Sequence, residues 1–202
     1  MRADLHPCAP IGTLIRICRE TLRTMKAKHV DRAIVLLDLD GRAPCPAGWA
    51  REFQAELTAS VGTEVPDGVF AVIKNQRFEN WLIADTAAVN RLAKFNLSNA
   101  DENQIRHNAD GVDAPEILRA AAQRASSRRH RRYTYDKISD AQALFSLAEP
   151  LQTAAASRSF RRFMRVAGCP RYSAQSKQPC QTTGASGRVC GSVRPRAQKR
   201  RR

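Results

Sequence analysis

One run of eight residues constrains the fold more than any other part of the sequence. Residues 33–40 read Ala-Ile-Val-Leu-Leu-Asp-Leu-Asp, and their apolar side chains occupy successive positions instead of alternate ones. A strand that is exposed on one face alternates, so this run predicts a strand buried from both faces, as in a parallel sheet. Residues 69–73, Val-Phe-Ala-Val-Ile, have the same character and predict a second such strand.

Segments with the apolar spacing of helices precede, separate and follow these two strands. Helices are predicted over 12–28 and 47–59, from Arg77 to Leu92, and again from Asp113, from Ser139 and from either Ser157 or Ser159. The polar stretch 96–113 is weak in apolar residues and predicts a loop. This alternation predicts an α/β fold with a mostly parallel sheet, flanking helices and a helical C-terminal part.

Charge divides the chain into two parts. The net charge of the 202 residues is +15. All 19 acidic residues precede Pro150, whereas 13 of the 34 lysines and arginines follow it. Residues 169–202 contain no acid and few aliphatic residues, so they predict a disordered basic tail. The predicted organisation is an irregular N-terminus over 1–11, an α/β domain over 12–168 and the tail over 169–202. A uniformly basic nucleic-acid-coating protein is excluded.

The sequence also bears on location. Its longest apolar runs are far shorter than the roughly 20 residues of a membrane helix, and Pro7, Pro10 and several charges interrupt its start. We expect a soluble, cytoplasmic protein without membrane contact. The six cysteines form no C-x-x-C pair, so we expect reduced thiols.

Asp38 and Asp40 are the clearest chemical signal. Their spacing of two directs both carboxylates to one side of a strand end, where open α/β sheets place their ligands. Two carboxylates that close repel each other unless a cation lies between them, and Mg²⁺ or Mn²⁺ suits such a site. The alternative is that Asp40-Gly41 forms a turn and that Asp38 caps a backbone amide.

Two resemblances bear on these residues. The string Asp38-Leu-Asp40-Gly41 resembles the nucleophile motif of haloacid-dehalogenase-type phosphatases, although Arg42 stands where that motif has Thr or Val. A second resemblance covers about residues 14–167 and uses four strings in series. They are Val35-Leu-Leu-Asp-Leu-Asp40-Gly41, Glu79-Asn-Trp81-Leu-Ile-Ala-Asp85, Tyr135-Asp-Lys137 and Ser157-Arg-Ser-Phe-Arg-Arg-Phe163. Their order and spacing are similar to those of the Toprim-related family of domain of unknown function 4276.

The second resemblance implies a Toprim-like, Rossmann-like fold that supports Mg²⁺-dependent cleavage or transfer at nucleic-acid phosphodiesters. It makes Asp38, Asp40 and Asp85 metal ligands, Glu79 a further site acid and Lys137 a phosphate or transition-state contact. It also implies a place in bacterial defence against phage, with a protein partner from the same locus.

Toprim-like proteins begin with a strand that carries a glutamate, and the first ten residues here are too polar and proline-rich for one. We therefore expect an incomplete sheet and an inactive or incomplete nuclease-like domain.

The second hypothesis is a non-catalytic remnant or partner-binding domain with nonspecific nucleic-acid contacts. For nucleic acid, the candidate contacts are basic residues in two clusters: Arg128, Arg129, Arg131 and Arg132, and then Arg161, Arg162 and Arg165. The alternative for each cluster is a solvated basic surface.

Overall fold

A computed structural model describes residues 9–26, 30–38, 46–61, 65, 68–74, 77–129 and 132–169. Asp40, Arg131 and the predicted tail beyond residue 169 lie outside the described residues, as do residues 1–8 of the predicted irregular N-terminus. Among the described residues, no helix is both long enough and apolar enough to span a membrane.

The N-terminal part contains the two predicted strands, each preceded by a helix. The elements are α1 (Ile11–Lys26), β1 (Ala33–Asp38), α2 (Pro46–Val61) and β2 (Val69–Lys74). β1 and β2 pair in parallel, with Ala33 opposite Val69 and Asp38 opposite Lys74. The predicted parallel pairing is confirmed, and the α/β class with it. The described sheet has two strands.

Both faces of this sheet are covered, which explains the unbroken apolar runs. On one face, α1 and α2 bury Leu14, Leu22, Phe53 and Leu57 in a cluster that includes Ala71 of β2. On the other face, Val72 packs in a cluster with Trp81 and Val166, and Phe160 and Phe163 lie against it. An alternating strand would have left one of these faces polar.

The remainder of the described chain is mostly helical. It comprises α3 (Glu79–Ile83), α4 (Thr86–Arg91), α5 (Asn99–Asn108), a 3₁₀ turn (Ala109–Gly111), α6 (Ala114–Arg129), α7 (Ser139–Leu147), α8 (Pro150–Ala156) and α9 (Arg158–Val166). These helices bury a core of their own around Leu82, Val89, Ile105, Leu118 and Leu144. The predicted helical C-terminal part is confirmed.

Two predictions in this part were wrong. The helix predicted from Arg77 to Leu92 is two helices, because Asp85 accepts a hydrogen bond from the Ala88 amide and begins a new helix there. The loop predicted over 96–113 contains α5, which begins at a reciprocal capping box between Ser98 and Asp101. Ile105 is the one buried residue of α5, so the sequence carries no apolar stripe there.

Candidate functional site

The carboxyl end of the sheet brings an acid and a base together. Asp38 ends β1 and Lys74 ends β2, and the parallel register places Asp38 Oδ1 2.8 Å from Lys74 Nζ. Lys74 is only 9% exposed, and its ammonium also lies 5.0 Å from the centre of the Phe78 ring. Asp38 Oδ1 is buried, and no described donor is aligned to hydrogen-bond with it. Sequence reasoning missed Lys74, although a lysine that ends an apolar strand beside an aspartate-ended strand is a readable signal.

Glu79 and Lys137, which the resemblance assigned to one site, do lie together. Glu79 is the first residue of α3, and its Oε1 lies 3.2 Å from Lys137 Nζ. The side chain of Glu79 is 3% exposed, whereas that of Lys137 is 73% exposed. Glu79 Oε2 is buried without a hydrogen-bond partner among the described residues. The buried Glu79 carboxylate is thus paired with a lysine that is exposed to solvent.

Tyr135 completes this cluster and was not predicted as a site residue. Its hydroxyl is buried and has no aligned partner among the described residues, and its ring lies 6.4 Å from that of Phe95. Burial, the charge of Glu79 and then the charge of Asp140 raise the pKa of Tyr135 far above its ordinary value. The signal in the sequence was the string Tyr135-Asp-Lys137, of which only the lysine was selected. We refer to Glu79, Tyr135 and Lys137 as the Glu79 cluster.

Asp85, which the resemblance assigned as a metal ligand, has other partners. Its Oδ1 accepts a hydrogen bond from the Ala88 amide and its Oδ2 accepts one from the Glu149 amide, each at 3.0 Å. Asp85 therefore starts α4 and also fixes the start of α8. Because both oxygens are occupied by backbone donors, the structure favours a capping role for this residue.

A second buried carboxylate escaped sequence reasoning altogether. Asp110 is 5% exposed and accepts hydrogen bonds from Ser157 Oγ at 2.6 Å, from the Ser159 amide at 2.8 Å and from Ser159 Oγ at 2.9 Å. Trp81 Nε1 donates in turn to Ser159 Oγ at 2.6 Å. These four residues, the Asp110 cluster, hold the start of α9 against α3 and the 3₁₀ turn. The string Ser157-Arg-Ser159 is the part of the sequence that indicates this cluster, and its two serines serve the packing of α9.

The predicted nucleic-acid contacts fall into two groups. Arg128, Arg129 and Arg132 are exposed, the first two in the last turn of α6. In α9, Arg161 donates to the carbonyl oxygens of Ala154 and Ala155, and Arg162 Nε donates to that of Ala71 at 3.2 Å. Burial and the nearby charge of Arg165 lower the pKa of Arg162. The α9 arginines therefore support the fold as well as carrying charge.

No group of three or more histidine, cysteine, aspartate or glutamate side chains that could hold a metal ion is found within the described ranges. The predicted partner of Asp38, Asp40, lies outside those ranges. Within them, Glu79 Oε2 is buried with no aligned donor, whereas Asp38 Oδ1, which also lacks an aligned donor, lies 2.8 Å from the Lys74 ammonium and would exchange that partner for a cation. The donor set is carboxylate oxygen, which Mg²⁺ and Mn²⁺ prefer.

Comparison with known proteins gives one informative match. No curated protein and no solved structure matches the chain significantly. The model of one protein family, described as a domain of unknown function (DUF4276), matches residues 10–166. That range contains the strand end at Asp38, the Glu79 cluster and the Asp110 cluster, and it covers well over half of the sequence. The chain therefore belongs to the DUF4276 family.

Proposed function

We propose that this DUF4276 domain has a Toprim-like fold and serves Mg²⁺- or Mn²⁺-dependent phosphoester chemistry on nucleic acid. The observation that carries the proposal is the state of Glu79: a carboxylate 3% exposed, with an exposed lysine on one oxygen, the Tyr135 hydroxyl close by, and no described donor well aligned to the other oxygen. An acid that served only folding would have both oxygens satisfied, as those of Asp85 are.

Asp38 is the proposed ion ligand within the described chain, with Asp40 as its predicted companion. A bound ion would stabilise charge on a phosphate oxygen and lower the pKa of a bound water. Lys74 supplies a positive charge next to Asp38. Lys74 is held by the Phe78 ring on its other side, so it stays at this edge as a candidate phosphate contact.

Glu79 is the proposed proton acceptor. Tyr135 lies beside it, and Lys137 contacts it from the solvent side. Lys137 is exposed enough to leave Glu79 and to follow a phosphate, which frees the carboxylate oxygen that it had paired. A positioned acid or base of this kind typically contributes 10²–10⁴-fold in rate.

A second function has an observation of its own in its favour. Asp38 and Glu79 are each neutralised by a lysine of the same chain, so the fold needs no cation to balance these two charges. A domain that binds nucleic acid or a protein partner without catalysis would have this charge balance.

Metal titration and nuclease assays on matched variants distinguish the two functions. Calorimetric titration with Mn²⁺ should show weak binding by the chain, and Asp38→Asn should abolish it. Glu20→Gln, which changes an exposed acid of α1, should bind Mn²⁺ as the unmodified chain does. Equal Mn²⁺ binding by the Asp38→Asn protein would refute the ion site. Cleavage of a labelled oligonucleotide that Mn²⁺ supports and Glu79→Gln removes would establish catalysis.

A further inference from the structure

A groove beside the sheet has no role in the proposed chemistry. It lies between α2 and α9 and has a volume of about 720 Å³, within the range typical of ligand sites. Ala47, Ala55 and Ala59 of α2 line it, together with Arg51 of α2 and Arg162 of α9. The large residues of α2, Phe53 and Leu57, point away from it into the core. The groove therefore has a smooth apolar floor with one guanidinium on each side.

The inner wall of the groove excludes one kind of occupant. Gln54 Nε2 donates to the Val69 carbonyl oxygen at 2.9 Å, and Gln54 Oε1 accepts from the Ala71 amide at 2.7 Å. The Ala71 carbonyl oxygen accepts from Arg162 Nε. Side chains thus satisfy the edge of β2 that faces away from β1, and an added β-strand would have to displace them. The groove is therefore unsuited to a peptide that binds by adding a β-strand to this edge.

The charge around the groove is positive and uncompensated. Among the described residues, no carboxylate forms an ion pair with Arg51, Arg162 or Arg165. Arg165 lies close enough for its charge to disfavour the charged form of Arg162. Of the two acids of α2 near this face, Glu56 lies about 150° around the helix from the centre of the groove-lining residues, and Glu52 lies about 115° from it, on the side that Ala59 borders. Like charges held together without an acid are the arrangement that an anion stabilises.

We propose that this groove binds single-stranded nucleic acid, with backbone phosphates on Arg51, Arg162 and Arg165 and sugar or base faces on the alanine floor. A groove of this volume has room for one or two nucleotides of a single strand. Guanidinium groups bind phosphate through paired hydrogen bonds, and Arg162 is oriented in advance by its bond to Ala71. The identity of the polyanion rests on the proposed function, whereas its binding requires neither metal nor catalysis.

A pair of charge-matched variants tests the groove in the full chain. The probe is a fluorescein-labelled 12-nucleotide DNA strand, measured by anisotropy in EDTA so that metal-dependent activity cannot contribute. Ala55→Glu places an acid on the groove floor, and Ala87→Glu makes the same change at an exposed position of α4. We expect Ala55→Glu to weaken binding about tenfold and Ala87→Glu to weaken it less than about twofold, because only the first acid faces the phosphates.

Salt dependence gives a second measurement that a folding defect would not mimic. Arg51→Gln should reduce the slope of log affinity against log salt by about 0.7, the value for one phosphate contact on a single strand. Equal effects of Ala55→Glu and Ala87→Glu would overturn the proposal, since binding would then follow net charge alone. A 12-residue polyglutamate that competes as well as the DNA strand would overturn it too, because the ligand would then be an acidic polypeptide.

Discussion

Two buried carboxylates of the helical part differ in how they are satisfied. Asp110 and Glu79 are 5% and 2% exposed, so the cost of removing each from water is similar. Asp110 accepts three hydrogen bonds from Ser157 and Ser159, whereas Glu79 has one exposed lysine, the Tyr135 hydroxyl close by, and an oxygen to which no described donor is well aligned. The difference teaches that burial alone does not mark a functional acid. An acid that is buried and incompletely satisfied is the better candidate.

The largest expected effect is on the Asp110 cluster. Asp110→Ala removes the acceptor of three buried donors, so we expect it to lower the free energy of unfolding by about 3 kcal/mol. Urea denaturation followed by circular dichroism measures this quantity. Asp31→Ala, at an exposed position before β1, is the control and should stay within about 0.5 kcal/mol. A loss below about 1 kcal/mol for Asp110→Ala would contradict the comparison, because the hydrogen bonds of Asp110 would then contribute no more to folding than the contacts of Glu79 do.

A pH-dependent effect is expected at Tyr135 in the Glu79 cluster. The folded state raises the pKa of Tyr135 above the ordinary value of 10.0, so the folded chain holds this proton more tightly than the unfolded chain does. The stability that this provides is complete below about pH 10 and decreases as the pH rises above it. Unmodified protein should therefore lose stability more steeply with rising pH above pH 10 than Tyr135→Phe does. Urea denaturation between pH 9 and 11 measures the difference, and parallel curves would contradict it.

The smallest effect on stability is expected for Glu79 itself. Glu79→Gln keeps the shape of the side chain, and removing a buried charge recovers its desolvation cost, which offsets most of the lost ion pair with Lys137, so we expect a loss of less than about 1 kcal/mol. The same urea denaturation measures it. A loss as large as that of Asp110→Ala would place Glu79 among the structural acids and remove the main support for the proposed function.

The sheet was the most predictable part of the fold. The apolar runs at Ala33–Leu37 and Val69–Ile73 predicted buried parallel strands because covering both faces of a strand requires apolar side chains on both. α5 was not predictable in this way, since its capping box replaces an apolar stripe as the cause of the helix. Ser157 as the cap of α9 and Gly168 at its end, with φ of +87°, were readable because caps are local signals.

The site was only partly predictable for the same reason. Lys137 could be placed beside Glu79 through a family resemblance, but their ion pair joins residues 58 positions apart in sequence, and no periodicity indicates it. Asp110 precedes a glycine and has the local sequence of a turn residue. Its function as an acceptor depends on serines 47 and 49 residues away. Buried polar networks of this kind are determined by tertiary packing.

The contact between α9 and the sheet has a consequence for synthesis on the ribosome. Arg162 lies 91 residues beyond the Ala71 carbonyl that it binds, and Val166 lies 134 residues beyond Arg32, which binds its carbonyl. At about 5–20 residues per second, the interval between making β2 and making its cover is roughly 5–20 s. During that interval the nascent chain exposes the Val72 face of the sheet. Translation halted between α6 and α9 should leave a polypeptide that chaperones retain and that only completion of α9 releases.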